Sequence, residues 1–292
     1  MRNRMRWCGF DYGETLMDPS GLRNTLLWGD TCKALGQPEL AADRARAYRI
    51  LRDTYGEYYT VKEGHRHEVL SYVLDGNEEA QFAFMEAEPR LLGTGAHLRQ
   101  ALTALRDAGL VLDVVSELKR TVGPLDQNIV LRFLSAHHLR RFFRYLITPL
   151  GKLDIASGAL LDERYRGHTK GDGTLYDVLV QDLAEQGIAP WQAAMVGDRP
   201  TTDIEPAHAR GLYTIQYSGY SHWPPSPVAD AVIDSFQELP PLLLTQPGAT
   251  DKAHRASRNA STCGNDSPPG SSRAGGHRGT RRRALIPPAH EE

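Results

Sequence analysis

The stretch AAMVGDRPTTDIEPAHARGLYTIQY, residues 193–217, decides how this chain folds. An apolar run, Ala193–Val196, ends at Gly197-Asp198. A helical segment, Ile204–Arg210, then stops at Gly211, a natural helix C-cap. A second apolar run, Tyr213–Tyr217, follows at once. Strand, helix and strand in this order mean parallel strands joined by a helical crossover.

The same rhythm extends outward. Arg6–Phe10 (RWCGF), Leu110–Val115 (LVLDVV), Tyr145–Ile147 (YLI) and Ala231–Ile233 (AVI) read as further strands. Helical spacing of apolar residues marks 94–108 (Leu98, Leu102, Leu105), 124–139 and 174–186 (Leu175, Val178, Leu179, Leu183). The expected class is α/β, a Rossmann-like doubly wound parallel sheet, whose ligands sit at the carboxyl ends of the strands. Residues 18–89 break the rhythm. Four helical patterns, 22–35, 41–55, 67–74 and 78–86, occur there with no strand candidate. An all-helical cap inserted after the first strand is the expectation. The core is then 1–17 and 90–244.

From 245 onward the chain turns to Gly, Ser, Pro and Arg (STCGNDSPPGSSRAGGHRGTRRR) without apolar periodicity. Such a segment cannot bury enough surface to offset its ordering entropy, so 245–292 reads as a disordered tail. It holds eight Lys/Arg against four Asp/Glu, within a chain of 292 residues and formal charge -2. A basic tail of this kind is usually solvated, and nucleic acid is not an expected partner. The 3 cysteines, Cys8, Cys32 and Cys263, form no CxxC and no even framework. Reduced thiols in a cytoplasmic protein are the simplest reading, with Cys8 in the core. No apolar run is long enough to span a membrane, and the N-terminal apolar run is too short for a signal peptide.

Four chemically suggestive positions fall at strand ends or in the loops beyond them: Asp11, Ser116, Lys170 and the acidic segment Gly197–Asp203. Singly, Asp11 reads equally well as a turn acid, Ser116 as a turn serine and Lys170 as a surface lysine. The GDRPTTD segment reads also as an Asp-capped helix start. Their order is more informative. FDYGETL, LDVVSE, HTKGDGTLYDVL and MVGDRPTTDIEPAHARGL resemble the successive motifs of the haloacid dehalogenase (HAD) superfamily of hydrolases, over about residues 6–240.

That resemblance implies a Mg²⁺-dependent phosphatase acting on a small phosphorylated metabolite. Asp11 would be the nucleophile, forming an aspartyl-phosphate that water cleaves. Ser116 and Lys170 would bind the phosphoryl group. Asp11, Asp198 and the backbone carbonyl of Gly13 would hold Mg²⁺, an all-oxygen set suited to that ion. Asp203 would reach it directly or through water, or orient Lys170. Lys170 and the metal are expected to keep the Asp11 pKa low.

One position departs from the family pattern. Most phosphatases of the superfamily carry an acid/base Asp two residues after the nucleophile, and here that residue is Gly13. Such an acid is worth about 10²- to 10⁴-fold in rate, roughly 3–5 kcal/mol. Glu14, one place on, is a candidate replacement or a loop acid. Otherwise the leaving group is labile, the chain is a binding or regulatory protein without turnover, or the reaction is different. A phosphonatase would need a cap lysine, and only Lys33 and Lys62 are available between 18 and 90. A dehalogenase needs no metal, so the retained acidic segment argues against one. His65, Arg66 and His67 in GHRHE read as a cap loop rather than a zinc site. His168 and Arg199 flank the expected site and are candidate substrate contacts.

Overall fold

The computed structural model describes residues 5–18, 25–55, 70–117, 128–221 and 223–244. The expected disordered tail, and Lys62, His65, Arg66 and His67, lie outside the described residues. Strands in chain order are β1 (Trp7–Phe10), β2 (Met17–Asp18), β3 (Gly93–Thr94), β4 (Val111–Val115), β5 (Tyr145–Thr148), β6 (Gly151–Asp154), β7 (Leu160–Asp162), β8 (Ala193–Gly197), β9 (Tyr213–Tyr217) and β10 (Ala231–Ile233). Helices are α1 (Thr25–Ala34), α2 (Ala41–Tyr55), α3 (Glu78–Leu91), α4 (Leu98–Asp107), α5 (Ile129–Ala136), α6 (Thr174–Glu185), α7 (Glu205–His208) and α8 (Leu239–Leu244).

Eight strands form one sheet in the order β10-β9-β8-β1-β4-β5-β6-β7. From β10 to β5 every pairing is parallel; β5-β6 and β6-β7 are antiparallel. β1 lies between β4 and β8, so the winding reverses there. That reversal opens a crevice at the carboxyl end of β1.

All four β1 residues are buried, as expected of a strand covered on both faces. Cys8 and Phe10 face one apolar layer, with Leu112, Val114, Ala194 and Val196 and the buried sides of α4, α5 and α8. Trp7 faces the other, with Val115, Met195, α6 and Ala207 of α7. Gly9 shares the Trp7 face. A Cβ there would collide with the Trp7 ring and sit 3.0 Å from Val115 Cγ2. Glycine at position 9 therefore lets the indole lie along its own strand.

Between β2 and β3 the described elements are helices. Trp28 of α1 packs on Phe84 of α3 and Tyr48 of α2, with ring centroids 4.7 and 5.6 Å apart. α3 continues past the expected end at 86, through Pro89, to Leu91. Arg132 of α5 donates to the carbonyl of Met85 and stands 3.9 Å from Glu86, tying α3 to the sheet layer. The two ends of the helical insertion meet as the antiparallel pair β2-β3. The sequence expectation began the next helix at Thr94. Thr94 instead pairs with Met17, and α4 starts at Leu98.

Gly9→Ala should overpack the Trp7 layer and lower stability by about 1–3 kcal/mol. Urea unfolding would measure it, and an unchanged midpoint would contradict this packing.

Candidate active site

Register places the site. Phe10 pairs with Val114 of β4 and with Val196 of β8. The next residues along the chains, Asp11, Val115 and Gly197, therefore stand at one level, and the Asp11 N–H bonds the Val196 carbonyl at 2.8 Å. Ser116 follows β4, with its N–H on the Ile147 carbonyl at 2.9 Å. Asp198 follows β8. Lys170 arrives from the turn before α6, and Asp203 from a π turn over Pro200–Ile204. All five side chains belong to buried residues.

Lys170 is 1% exposed and its ammonium meets three oxygens. It donates to Asp11 Oδ1 at 2.6 Å and to the Val115 carbonyl at 3.2 Å, and it ion-pairs with Asp203. Its own backbone N–H bonds Glu117 Oε2 at 2.6 Å. Burial alone would lower the Lys170 pKa. The carboxylates of Asp11 and Asp203 more than offset this and hold it well above the ordinary lysine value. Asp203 is fixed in turn by the Arg199 N–H, 3.0 Å from its Oδ2. Gly197 makes that turn possible, because a Cβ there would lie 2.5 Å from Asp203 Cγ.

Carboxylate oxygens of Asp11, Asp198 and Asp203 all lie within 4.8 Å of one another. Three acids against one ammonium leave two negative charges in a buried space. Burial first, then Asp203 and Asp11, push the Asp198 pKa up to about 9. Burial pushes Asp11 up to about 6, despite Lys170. The expected low Asp11 value counted on Lys170 and the metal together; with Lys170 alone, desolvation outweighs the lysine. Asp198 Oδ2 is buried with no hydrogen-bond donor among the described residues; Arg199 Nε stands 3.8 Å away. An orphaned buried carboxylate oxygen, in an all-oxygen cluster short of two positive charges, fits a hard divalent cation.

Glu14 sits at the rim with positive φ, 53°. Its carboxylate is 4.0 Å from Arg199 Nη2, so Arg199 lies between Glu14 and Asp198. Gly13 has no such backbone demand. Among the described residues, a Cβ built on it meets only Asp11 Oδ2, at 3.9 Å. Lys33 is exposed on the last turn of α1, away from a role as a buried amine. His168 interacts with Asp172 and Asp177 at the start of α6.

Three supporting residues were not anticipated. Gln216 of β9, 1% exposed, donates to the Asp198 carbonyl at 3.3 Å and to Pro224 O at 3.1 Å, and accepts from Ser226 N–H at 2.7 Å. Tyr176 of α6 donates to Thr202 O at 2.9 Å, bracing the turn that carries Asp203. Glu117 holds the Lys170 backbone. The only signal was a glutamine inside the apolar run YTIQY.

A family model described as HAD-hydrolase-like matches residues 169–239, the segment that carries Lys170, Asp198 and Asp203. That segment is similar to the HAD-hydrolase-like family. Solved structures of the HAD fold cover nearly their whole length on it. A HAD phosphatase from Thermococcus onnurineus is 20% identical, with TM-score 0.51, over 82% of this chain and 98% of its own. YfnB of Bacillus subtilis, described as a HAD-hydrolase bound to magnesium, is 18% identical, with TM-score 0.55, over 82% and 99%. A dehalogenase in an intermediate complex is 16% identical, with TM-score 0.51, over 84% and 100%. No curated protein matches the sequence. At these identities the likeness establishes the fold, which serves more than one reaction. No helix among the described residues is long and apolar enough to cross a membrane.

Folded-state pKa values of Asp11 and Asp198 lie above the ordinary 3.8. The folded chain thus holds protons that the unfolded chain releases. Stability from these groups is complete below about pH 4 and is lost as pH rises through their folded values. A divalent cation replaces those protons. Mg²⁺ should therefore raise the melting temperature more at about pH 8 than at about pH 5. No shift, or the larger shift at the lower pH, would contradict this.

Proposed function

We propose that this chain is a Mg²⁺-dependent phosphatase of the HAD-like hydrolases, acting on a small phosphorylated metabolite, with Asp11 as nucleophile. One observation carries the reading: a buried lysine and three buried carboxylates, one with an orphaned oxygen, converge at the carboxyl end of the central strand. Asp11, Asp198, Asp203 and the Gly13 carbonyl would hold Mg²⁺. When bound, it supplies positive charge to a phosphoryl group's oxygens and lets neighbouring acids ionise together.

The chain's own residues divide the remaining work. Lys170 Nζ holds the Asp11 carboxylate by Oδ1 and presents positive charge to the incoming phosphoryl group. Asp203 and the Val115 carbonyl keep that ammonium in place. Ser116, on the loop beyond β4, offers a hydroxyl to a phosphoryl oxygen. Asp11 attacks phosphorus, the bond to the leaving oxygen breaks, and water then cleaves the acyl phosphate on Asp11. The helices at 18–89 serve as a cap that keeps bulk water out and selects the substrate. A reducing, cytoplasmic setting suits the buried, unpaired Cys8 and Cys32.

Gly13 favours one other reading, a protein that binds phosphate and metal without turning substrate over. Release of inorganic phosphate from acetyl phosphate, aryl phosphates and sugar phosphates, with Mg²⁺ present, separates the two. At least one probe should yield phosphate. Asp11→Asn should abolish it, and Lys170→Met should lower kcat/KM by about 10²-fold or more. Silence on every probe, or full activity in Asp11→Asn, would end the phosphatase reading.

A further inference from the structure

A glutamine is out of place in the buried strand β9, and its partners give the reason for it. Gln216 is 1% exposed and stands opposite Gly197 in the β8-β9 register, so Asp198 is the next residue on the neighbouring chain. An amide buried among apolar neighbours costs free energy unless its polar atoms are paired. Here Nε2 donates to the Asp198 carbonyl at 3.3 Å and to the Pro224 carbonyl at 3.1 Å, and Oε1 accepts the Ser226 N–H at 2.7 Å. Both N–H donors of the amide and its oxygen are thus engaged. One side chain bridges the segment beyond β8 and the segment beyond β9.

The β9 side of that bridge is braced. Ser218 N–H bonds the Ile233 carbonyl at 2.8 Å. Tyr217 stacks on Phe236 with ring centroids 4.4 Å apart, and Tyr220 packs edge-on against Tyr217 at 5.2 Å. Pro224 and Pro225 have φ fixed by their rings, and the Asp230 N–H bonds the Thr214 carbonyl at 3.0 Å. The β8 side is less constrained at the side chain. Asp198 Oδ2 has no hydrogen-bond donor among the described residues, so the aim of that carboxylate depends on the main chain that carries it. Gln216 ties that main chain to the braced segment.

We propose that Gln216 is a positioning residue for the cation site: by holding the Asp198 carbonyl against the Trp223–Ser226 segment, it sets the direction of the Asp198 carboxylate and with it the affinity for Mg²⁺. This rests on the reading of Asp198 as a cation ligand. Groups that orient a ligand without touching the ion are worth about 10- to 100-fold in metal affinity. Mg²⁺ demands near-octahedral geometry, whereas Ca²⁺ accepts a wider range of ligand positions. A carboxylate loosened on its main chain should therefore cost Mg²⁺ more than Ca²⁺.

Calorimetric titration of the metal-free, full-length protein with Mg²⁺ and with Ca²⁺ tests this. Gln216→Met removes the bridge at similar volume. It should weaken Mg²⁺ binding by about 10- to 100-fold and Ca²⁺ binding by less. Gln216→Asn keeps the amide but is one methylene too short to bridge both segments. It should shift the affinities in the same direction, and it carries the test should Gln216→Met fail to fold. Thr214→Val removes the hydroxyl that bonds Asp230 at 3.3 Å, at the other end of β9. It should lower the melting temperature and leave Mg²⁺ affinity unchanged. Unchanged Mg²⁺ affinity in the Gln216 variants, equal losses for the two ions, or the same Mg²⁺ loss in Thr214→Val would overturn the positioning role and leave the cation site standing. No Mg²⁺ binding by the unaltered protein would remove the cation reading itself, and this inference with it.

Discussion

A single buried ammonium set among three buried carboxylates is the constraint on which the rest of the site depends. Lys170 Nζ contacts Asp11 and Asp203, and Asp198 completes the cluster. Removing charges from water is costly, and an unpaired one is costlier still. One lysine cannot balance three acids. The raised pKa values of Asp11 and Asp198 express that shortfall as retained protons. The same shortfall makes the site receptive to a divalent cation. Structure, proton binding and proposed chemistry are thus three views of one charge imbalance.

The sheet delivers these groups without long loops. Asp11 and Asp198 each follow a strand by one residue, and the two strands are neighbours in register. Gly197 admits Asp203 to the same space, while Gln216 and Tyr176 hold the segments behind it. Rigid elements therefore set the spacing of the charges. That is the arrangement expected where a phosphoryl group must be held and oriented rather than chemically transformed by the protein alone.

Much of this was legible in the residues. β9 and β10 have the expected bounds, because short apolar runs flanked by turn residues mark buried parallel strands well. The hairpin β6-β7 was not legible. Gly151 opens it at φ 131°, Lys152 within it looks like a surface residue, and Leu160 and Leu161 lie half exposed at the edge. Lys152 is in fact buried, 2.8 Å from Asp182, a pairing 30 residues distant that periodicity cannot reveal. Likewise, the motif order brought Asp11, Lys170, Asp198 and Asp203 into view, yet the supports Gln216, Glu117 and Tyr176 act through single long-range bonds. The direction of Glu14 was equally hidden, since it depends on Arg199 from another loop. The depth to which Asp11 is buried was hidden too, because it is a property of the assembled sheet.

Calorimetric titration of metal-free protein with Mg²⁺ tests the charge imbalance most directly. The account predicts saturable binding at one site per chain, greatly weakened in Asp198→Asn. Absence of binding, or binding that Asp198→Asn leaves intact, would contradict it.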